Sequence, residues 1–253
     1  MIKILSIGNS FSVDGQRWLY DIAASAGDEL LCVNLHIGGC TLERHCNNIL
    51  TNAEDYFVQR NGIFVGERTT LYEGLLSDEW DVVTVQQASG HSGRPQSYFP
   101  YLKMLVDFVR LVRPDARIFI QQTWSYDPNS DHPDFVNYNC DCEEMFRRLK
   151  DAYDMASVLV DAPLIRSGEF IQFLRLNTEQ FSIKNGGMSI NCDGFHLTQL
   201  YGRYAVGLMW YYYLCDGDIA KVDFIPEENG ECADRELIDV IKNAAKLFLK
   251  DGI

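Results

Sequence analysis

The chain contains no run of about eighteen apolar residues, so no segment of it can cross a bilayer as a helix. It also lacks a recognisable secretory leader. The apolar stretch after Met1, I-K-I-L-S-I, is too short for a signal core, and no small-residue cleavage site follows it. As it stands the chain is expected to be cytoplasmic; an exported form already trimmed of its leader would read the same. No Lys/Arg cluster interrupts its acidity. With 36 acidic and 22 basic residues the formal net charge is −14, which repels phosphate backbones and anionic lipid. Neither nucleic acid nor a membrane surface is expected as a partner. None of the eight cysteines forms a C-x-x-C pair, and Cys140-x-Cys142 has the wrong spacing for a zinc knuckle. Several lie in apolar runs, where a free thiol behaves as a small hydrophobe. The expectation is reduced structural thiols and no metal. Internal repeats and low-complexity linkers are absent, so residues 1–253 are expected to form a single domain. Histidine is scarce too: only His36, His45, His91, His132 and His196 are available as bases.

What the chain does have is an alternation of short apolar runs and helical periodicities. Apolar, β-branched runs at Ile2–Ile7, Leu30–Ile37, Trp80–Val85, Arg117–Gln121 and Ser157–Val160 read as five strands. Between them, apolar residues recur at helical spacing over about Gly15–Ala26, Leu102–Val109 and Met145–Tyr153. Two further helices are expected, one around Tyr201–Tyr212 and one over Leu237–Phe248. Strands that are apolar throughout, rather than striped, are covered on both faces. The pattern therefore predicts an α/β fold in which these five strands form a parallel sheet covered by helices on both faces. One segment breaks the alternation. Asn61-Gly62 between two β-prone runs predicts an inserted β-hairpin over about 54–72, lying over one end of the sheet.

In an open parallel sheet, ligands bind beyond the carboxyl ends of the strands. The chain places there Gly8-Asn9-Ser10-Phe11-Ser12, then Gly38-Gly39-Cys40, then Q-Q-A-S-G-H-S-G from Gln86, then Thr123-Trp124-Ser125-Tyr126, and finally Asp193-Gly194-Phe195-His196. A serine nucleophile needs a base, and the base needs an orienting partner. Only His196 has an aspartate three residues before it, which a turn at Asp193-Gly194 would aim into the same cleft. Thr198 is the expected cap of the helix that follows. Of the three serines in S-I-G-N-S-F-S, Ser6 belongs to the strand and Ser12 suits a helix cap. Ser10 sits where the chain leaves the strand, next to free amides suited to an oxyanion.

This order of blocks resembles the SGNH (GDSL-type) hydrolase superfamily over most of the chain, and the wording of the first and third blocks is similar to that of an uncharacterised bacterial branch. I-G-N-S-F-S resembles the G-D-S-L block, with Asn9 and Phe11 substituted, and D-G-F-H resembles the D-x-x-H block. The resemblance implies a flavodoxin-like three-layer α/β/α sandwich around a five-stranded parallel sheet, and a serine esterase with Ser10 as nucleophile and Asp193 and His196 completing a triad. It implies an oxyanion hole from the Ser10 and Gly39 amides. The third block departs, because the family's G-x-N-D asparagine is missing. Gln87, with the same amide one methylene longer, is the first candidate replacement, and Ser89 is the second. Trp124 and Tyr126, with Tyr98 nearby, are expected to line the substrate cleft beside Ser89. The substrate implied is a small, acetyl-type ester, with a saccharide as the alcohol that aromatic walls suit. No cofactor is needed. Two other readings stand beside this one: a carbohydrate- or phosphate-binding module on the same sheet, without catalysis, and a degenerate hydrolase kept for sugar binding.

Overall fold

The structure, a computed structural model, describes residues 1–250. Nine strands and nine α-helices lie among them: β1 (Ile2–Gly8), α1 (Ser10–Gln16), α2 (Leu19–Ser25), β2 (Leu30–His36), α3 (Leu42–Thr51), β3 (Tyr56–Arg60), β4 (Ile63–Thr69), α4 (Leu71–Leu76), β5 (Val82–Val85), α5 (Tyr101–Val112), β6 (Arg117–Gln121), α6 (Cys142–Val160), β7 (Leu164–Ile165), α7 (Ser167–Asn177), α8 (Gly202–Cys215), β8 (Glu227–Glu228), β9 (Glu231–Cys232) and α9 (Arg235–Lys250). The main sheet runs β4-β3-β2-β1-β5-β6-β7, and β8-β9 form a separate small ribbon. β2, β1, β5, β6 and β7 run parallel to one another. Helices α3, α4, α5 and α6 pack along one face, while α1, α2, α8, α9 and α7 pack on the other. The expected three-layer α/β/α sandwich is present, with a sheet of seven strands rather than five.

The two extra strands are the hairpin. Asn61 and Gly62 both take positive φ, +48° and +78°, as a tight two-residue hairpin turn demands. The hairpin does not lie over an end of the sheet. β3 pairs antiparallel with β2, Val33 opposite Arg60 and His36 opposite Phe57, so the hairpin extends one edge. Its outer strand β4 keeps Ile63, Phe64 and Val65 exposed.

The fifth parallel strand also differs from expectation. Ser157–Val160 is the last turn of α6, whose chain reverses at Asp161 in the left-handed conformation; the strand is Leu164–Ile165. Ala156 and Val160 face the core there, and a short apolar run on a buried helix end reads like a strand. Likewise, the helix expected from Gly15 to Ala26 is two helices, α1 beginning at Ser10 and α2 at Leu19.

Helix α8 carries few exposed residues and is apolar nearly all round, because α1, α2 and α7 flank it and α9 lies against it. Gly207 permits the close approach to α2: a Cβ there would stand 2.8 Å from Ile22 Cδ1. Each Leu or Ile buried in this way contributes about 1.5–3 kcal/mol relative to exposure.

One buried polar side chain gives the fold a pH dependence. His45 on α3 is fully buried, with Nδ1 2.9 Å from the Tyr56 hydroxyl. Burial, with Arg44 nearby, lowers its pKa from 6.5 to about 3. The unfolded chain takes up a proton below 6.5 that the folded chain refuses. Stability is therefore full above that value and is lost as pH falls through the window, by about 1.4 kcal/mol per unit. Urea unfolding at pH 7 and pH 4.5 is expected to show a smaller loss in His45→Phe than in the wild type. Equal losses would contradict this assignment.

Candidate active site

The carboxyl ends of β1, β2 and β5 place three loops side by side. Asn9 caps α1, its Oδ1 accepting from the Phe11 amide at 3.1 Å. The same Oδ1 accepts from Gln86 Nε2, and Asn9 Nδ2 donates to the Cys40 carbonyl at 3.0 Å. One buried amide thus ties the first loop to the second and third. The task needs a donor and an acceptor in one side chain, which asparagine has and aspartate lacks. Asn9→Asp is expected to cost about 1–3 kcal/mol, by leaving the Cys40 carbonyl unpaired against a carboxylate. The unfolding midpoint measures it, and an unchanged midpoint would refute the tie.

Ser10 is the first residue of α1, and its Oγ lies 2.9 Å from His196 Nε2. His196 Nδ1 lies 2.7 Å from Asp193 Oδ2. Asp193 Oδ1 accepts from the His196 amide at 2.7 Å and the Phe195 amide at 3.1 Å. Burial alone would raise the Asp193 pKa. The bonds from the His196 ring and from the two amides outweigh it and leave the pKa below the usual value. The carboxylate therefore stays ionised at neutral pH and fixes the imidazole tautomer with the proton on Nδ1.

The 193–196 turn is held from three sides. Trp124 Nε1 donates to the Phe195 carbonyl at 2.7 Å. The Asp127 amide donates to the Gly194 carbonyl at 2.8 Å. Asp14, one helical turn after Ser10, accepts from the Leu197 amide at 2.9 Å. Asp14 is buried and its Oδ1 lies 2.8 Å from Arg203 Nε, a charge contact rather than an aligned hydrogen bond. Ser10 and His196 are thus braced against each other through one short helix.

A cleft of about 210 Å³ opens over Ser10. Asn9, Gly39, Ser89, His132, Phe195 and His196 are among its walls. Gly39 has φ +61° and takes part in the turn that presents the second loop to the cleft. Among the described residues, neither the Ser10 nor the Gly39 amide meets an acceptor within the chain. His132 Nδ1 accepts from the Asp134 amide at 3.2 Å, and burial lowers its pKa, so a neutral imidazole keeps its proton on Nε2. His132 and Asp134 were not singled out in the sequence. They lie at the start of the short 3₁₀ helix Pro133–Tyr138, where the sequence shows no motif, and only the fold brings them to Ser10. Asp14 was legible in principle, at the i+4 position from the candidate nucleophile.

Four expectations need correction. Gln87 does not reach the cleft: its Nε2 donates to the Ser97 carbonyl at 2.9 Å, and its Oε1 accepts from the Leu42 and Ala88 amides. The side chain is spent on joining loops. Trp124 and Tyr126 are fully buried one layer behind the cleft, as is Tyr98. Trp124 stacks on Phe11 with ring centroids 4.3 Å apart, and Tyr126 bonds the back of Ser89. Ser12 caps nothing; it lies inside α1 and donates to Asn34 Oδ1 at 2.8 Å. Helix α8 starts at Gly202, with Thr198 Oγ1 accepting the Gly202 amide from outside it. Ser10, Gly39, Ser89, Asp193 and His196 do converge.

The central sheet flanked by helices on both faces matches the SGNH (GDSL-type) hydrolase fold. A protein from Slackia heliotrinireducens assigned to the SGNH hydrolases superposes with a TM-score of 0.55 at 19% identity, over 82% of this chain and 96% of that one. A family 3 carbohydrate esterase from Clostridium thermocellum superposes with a TM-score of 0.50 at 16% identity, over 85% and 96%. A DUF4886 family protein from Bacteroides uniformis superposes far better, with a TM-score of 0.86 at 32% identity, over 98% of this chain and 94% of that one. The model of DUF4886, a domain of unknown function, matches residues 3–246, and the chain belongs to that family. No curated protein matches the sequence. No helix among the described residues is long and apolar enough to cross a membrane.

Proposed function

We propose that the protein is a serine esterase that hydrolyses a small acyl ester through an acyl-serine intermediate. The observation that carries this reading is the continuous chain Ser10 Oγ–His196 Nε2, 2.9 Å, and His196 Nδ1–Asp193 Oδ2, 2.7 Å, at the floor of a cleft. The SGNH fold supports it. Ser10 Oγ bonds to the acyl carbon while its proton passes to His196 Nε2. The carbonyl π pair moves onto oxygen, where the Ser10 and Gly39 amides receive it. Collapse expels the alcohol, which takes the proton from His196. Water, deprotonated by the same imidazole, then releases the acid.

Substrate size follows from the cleft, which admits a short acyl group such as acetyl. The alcohol side is polar. His132 and Asp134 stand at the cleft, and behind the Asp193–Gly194 turn lies an open depression of about 780 Å³ with Asp127, Asn129, Asp131, Ser189 and Asn191 around it. Such acceptors and amides suit the hydroxyls of a saccharide. Acetylated oligosaccharides and p-nitrophenyl acetate are expected to be hydrolysed, and long-chain p-nitrophenyl esters at least about tenfold less well. Absence of turnover on any ester, together with no labelling of Ser10 by a fluorophosphonate, would end the esterase reading and favour a binding module.

A further inference from the structure

The donors proposed above for the developing oxyanion are the Ser10 and Gly39 amides, and the loop after β5 carries no asparagine beside them. Ser89 follows β5, lines the same cleft as Ser10, Gly39 and His196, and is nearly buried. Its Oγ lies 2.8 Å from the Tyr126 hydroxyl. Which atom donates is decided by the surroundings. The Tyr126 ring is fully buried among His132, Phe135 and Phe195. Among the described residues, Ser89 Oγ is the one polar side-chain or backbone atom within hydrogen-bond reach of its hydroxyl. If Ser89 donated, the phenol proton would be buried without an acceptor, at a cost of about 1–3 kcal/mol. If Tyr126 donates, both hydroxyls are satisfied as soon as the cleft is filled, because the Ser89 proton is then free to point into it. Burial also raises the Tyr126 pKa, so the phenol keeps its proton throughout the working pH range.

We infer that Ser89 Oγ–H is the third oxyanion donor of this enzyme and that Tyr126, by donating to Ser89 Oγ, is the positioning residue that turns the Ser89 proton toward the substrate. The inference rests on the esterase reading above. No proton is transferred in the relay: as Ser10 Oγ bonds to the acyl carbon and negative charge builds on the carbonyl oxygen, Ser89 donates a hydrogen bond to that oxygen. A phenol that donates to a hydroxyl also polarises it, which strengthens the bond the hydroxyl gives onward. A two-residue hydroxyl pair would thus do the work of one asparagine amide, and it would explain why an aromatic with a hydroxyl lies behind the cleft where phenylalanine would pack as well.

The test uses p-nitrophenyl acetate kinetics and the rate of fluorophosphonate labelling of the full chain. Ser89→Ala is expected to lower kcat by about 10²-fold with KM little changed, as loss of a donor made only in the transition state should. Tyr126→Phe, which keeps the ring packing, is expected to lower kcat about tenfold with KM and the unfolding midpoint little changed. The double variant is expected to match Ser89→Ala alone, because Tyr126 acts only through Ser89. Wild-type kinetics in Tyr126→Phe or in Ser89→Ala would overturn the inference while leaving the esterase reading intact. So would additive losses in the double variant, which a purely structural tyrosine would give. A wild type that neither turns over esters nor labels at Ser10 would instead remove the esterase reading, and the inference with it.

Discussion

Replacing Ser10 or His196 with alanine is expected to lower kcat on p-nitrophenyl acetate by about 10⁴-fold or more, and replacing both is expected to lower it no further. In the proposed mechanism the two side chains form one device. Without His196 the Ser10 hydroxyl is a poor nucleophile at neutral pH, and without Ser10 the imidazole has no oxygen to deprotonate. The 2.9 Å contact joins residues 186 positions apart in the chain, so it exists only in the folded state. Asp193→Asn is a milder lesion. Its amide still accepts from the His196 and Phe195 backbone, but it cannot hold the Nδ1 proton as a carboxylate does. Losses that add in the double variant would show that the residues act separately.

The second large effect concerns stability. Asp14→Ala is expected to cost about 3–5 kcal/mol, because it leaves the largely buried Arg203 guanidinium without its counter-charge and the Leu197 amide without its acceptor. Burial raises the Asp14 pKa, and Arg203 and the Leu197 amide pull against that rise. Each kcal/mol is worth about 2–4 °C at this chain length, so a fall of about 10 °C in Tm should be visible. Asp14→Asn separates the two roles. It keeps an oxygen for the Leu197 amide and removes the charge, so Tm should fall while kcat is largely kept. If Asp14→Asn lost kcat and held its Tm, the carboxylate would be serving the chemistry directly and the brace would be wrongly described.

Much of this architecture can be read from the chain, because parallel strands buried on both faces are apolar throughout and helices repeat their apolar residues with a different period. β5 is four buried residues, V-V-T-V, and could hardly be otherwise. β7 is two residues long and pairs with only the last two residues of β6, so its local signal is weaker than that of the helix end before it. The hairpin turn is encoded locally in Asn61-Gly62, but its seat is not. Pairing β3 to β2 depends on β2 being an edge of the parallel sheet, a fact of topology.

The candidate site divides in the same way. Chain order and the D-x-x-H spacing single out Ser10, Asp193 and His196, since the Asp193–His196 spacing is local and Ser10 stands just past the end of β1. Donor assignments in the third loop are a different matter. Gln86 and Gln87 both carry suitable amides, and only the three-dimensional partners, Asn9 for one and Ser97 for the other, show that neither is free. Trp124 and Tyr126 follow the right strand, yet burial turns them from walls into supports. The departure from G-D-S to G-N-S acquires a reason in the same network, since Asn9 must donate to Cys40 and accept from Gln86 at once.

The central claim is that Ser10 becomes acylated during turnover. Acid-quenching the wild-type protein during hydrolysis of p-nitrophenyl acetate, followed by peptide mass spectrometry, tests it directly. The account predicts an acetyl group on Ser10 and on no other residue, accumulating further in variants with slowed deacylation. Steady turnover with Ser10 unmodified, or turnover that persists in Ser10→Ala, would contradict it.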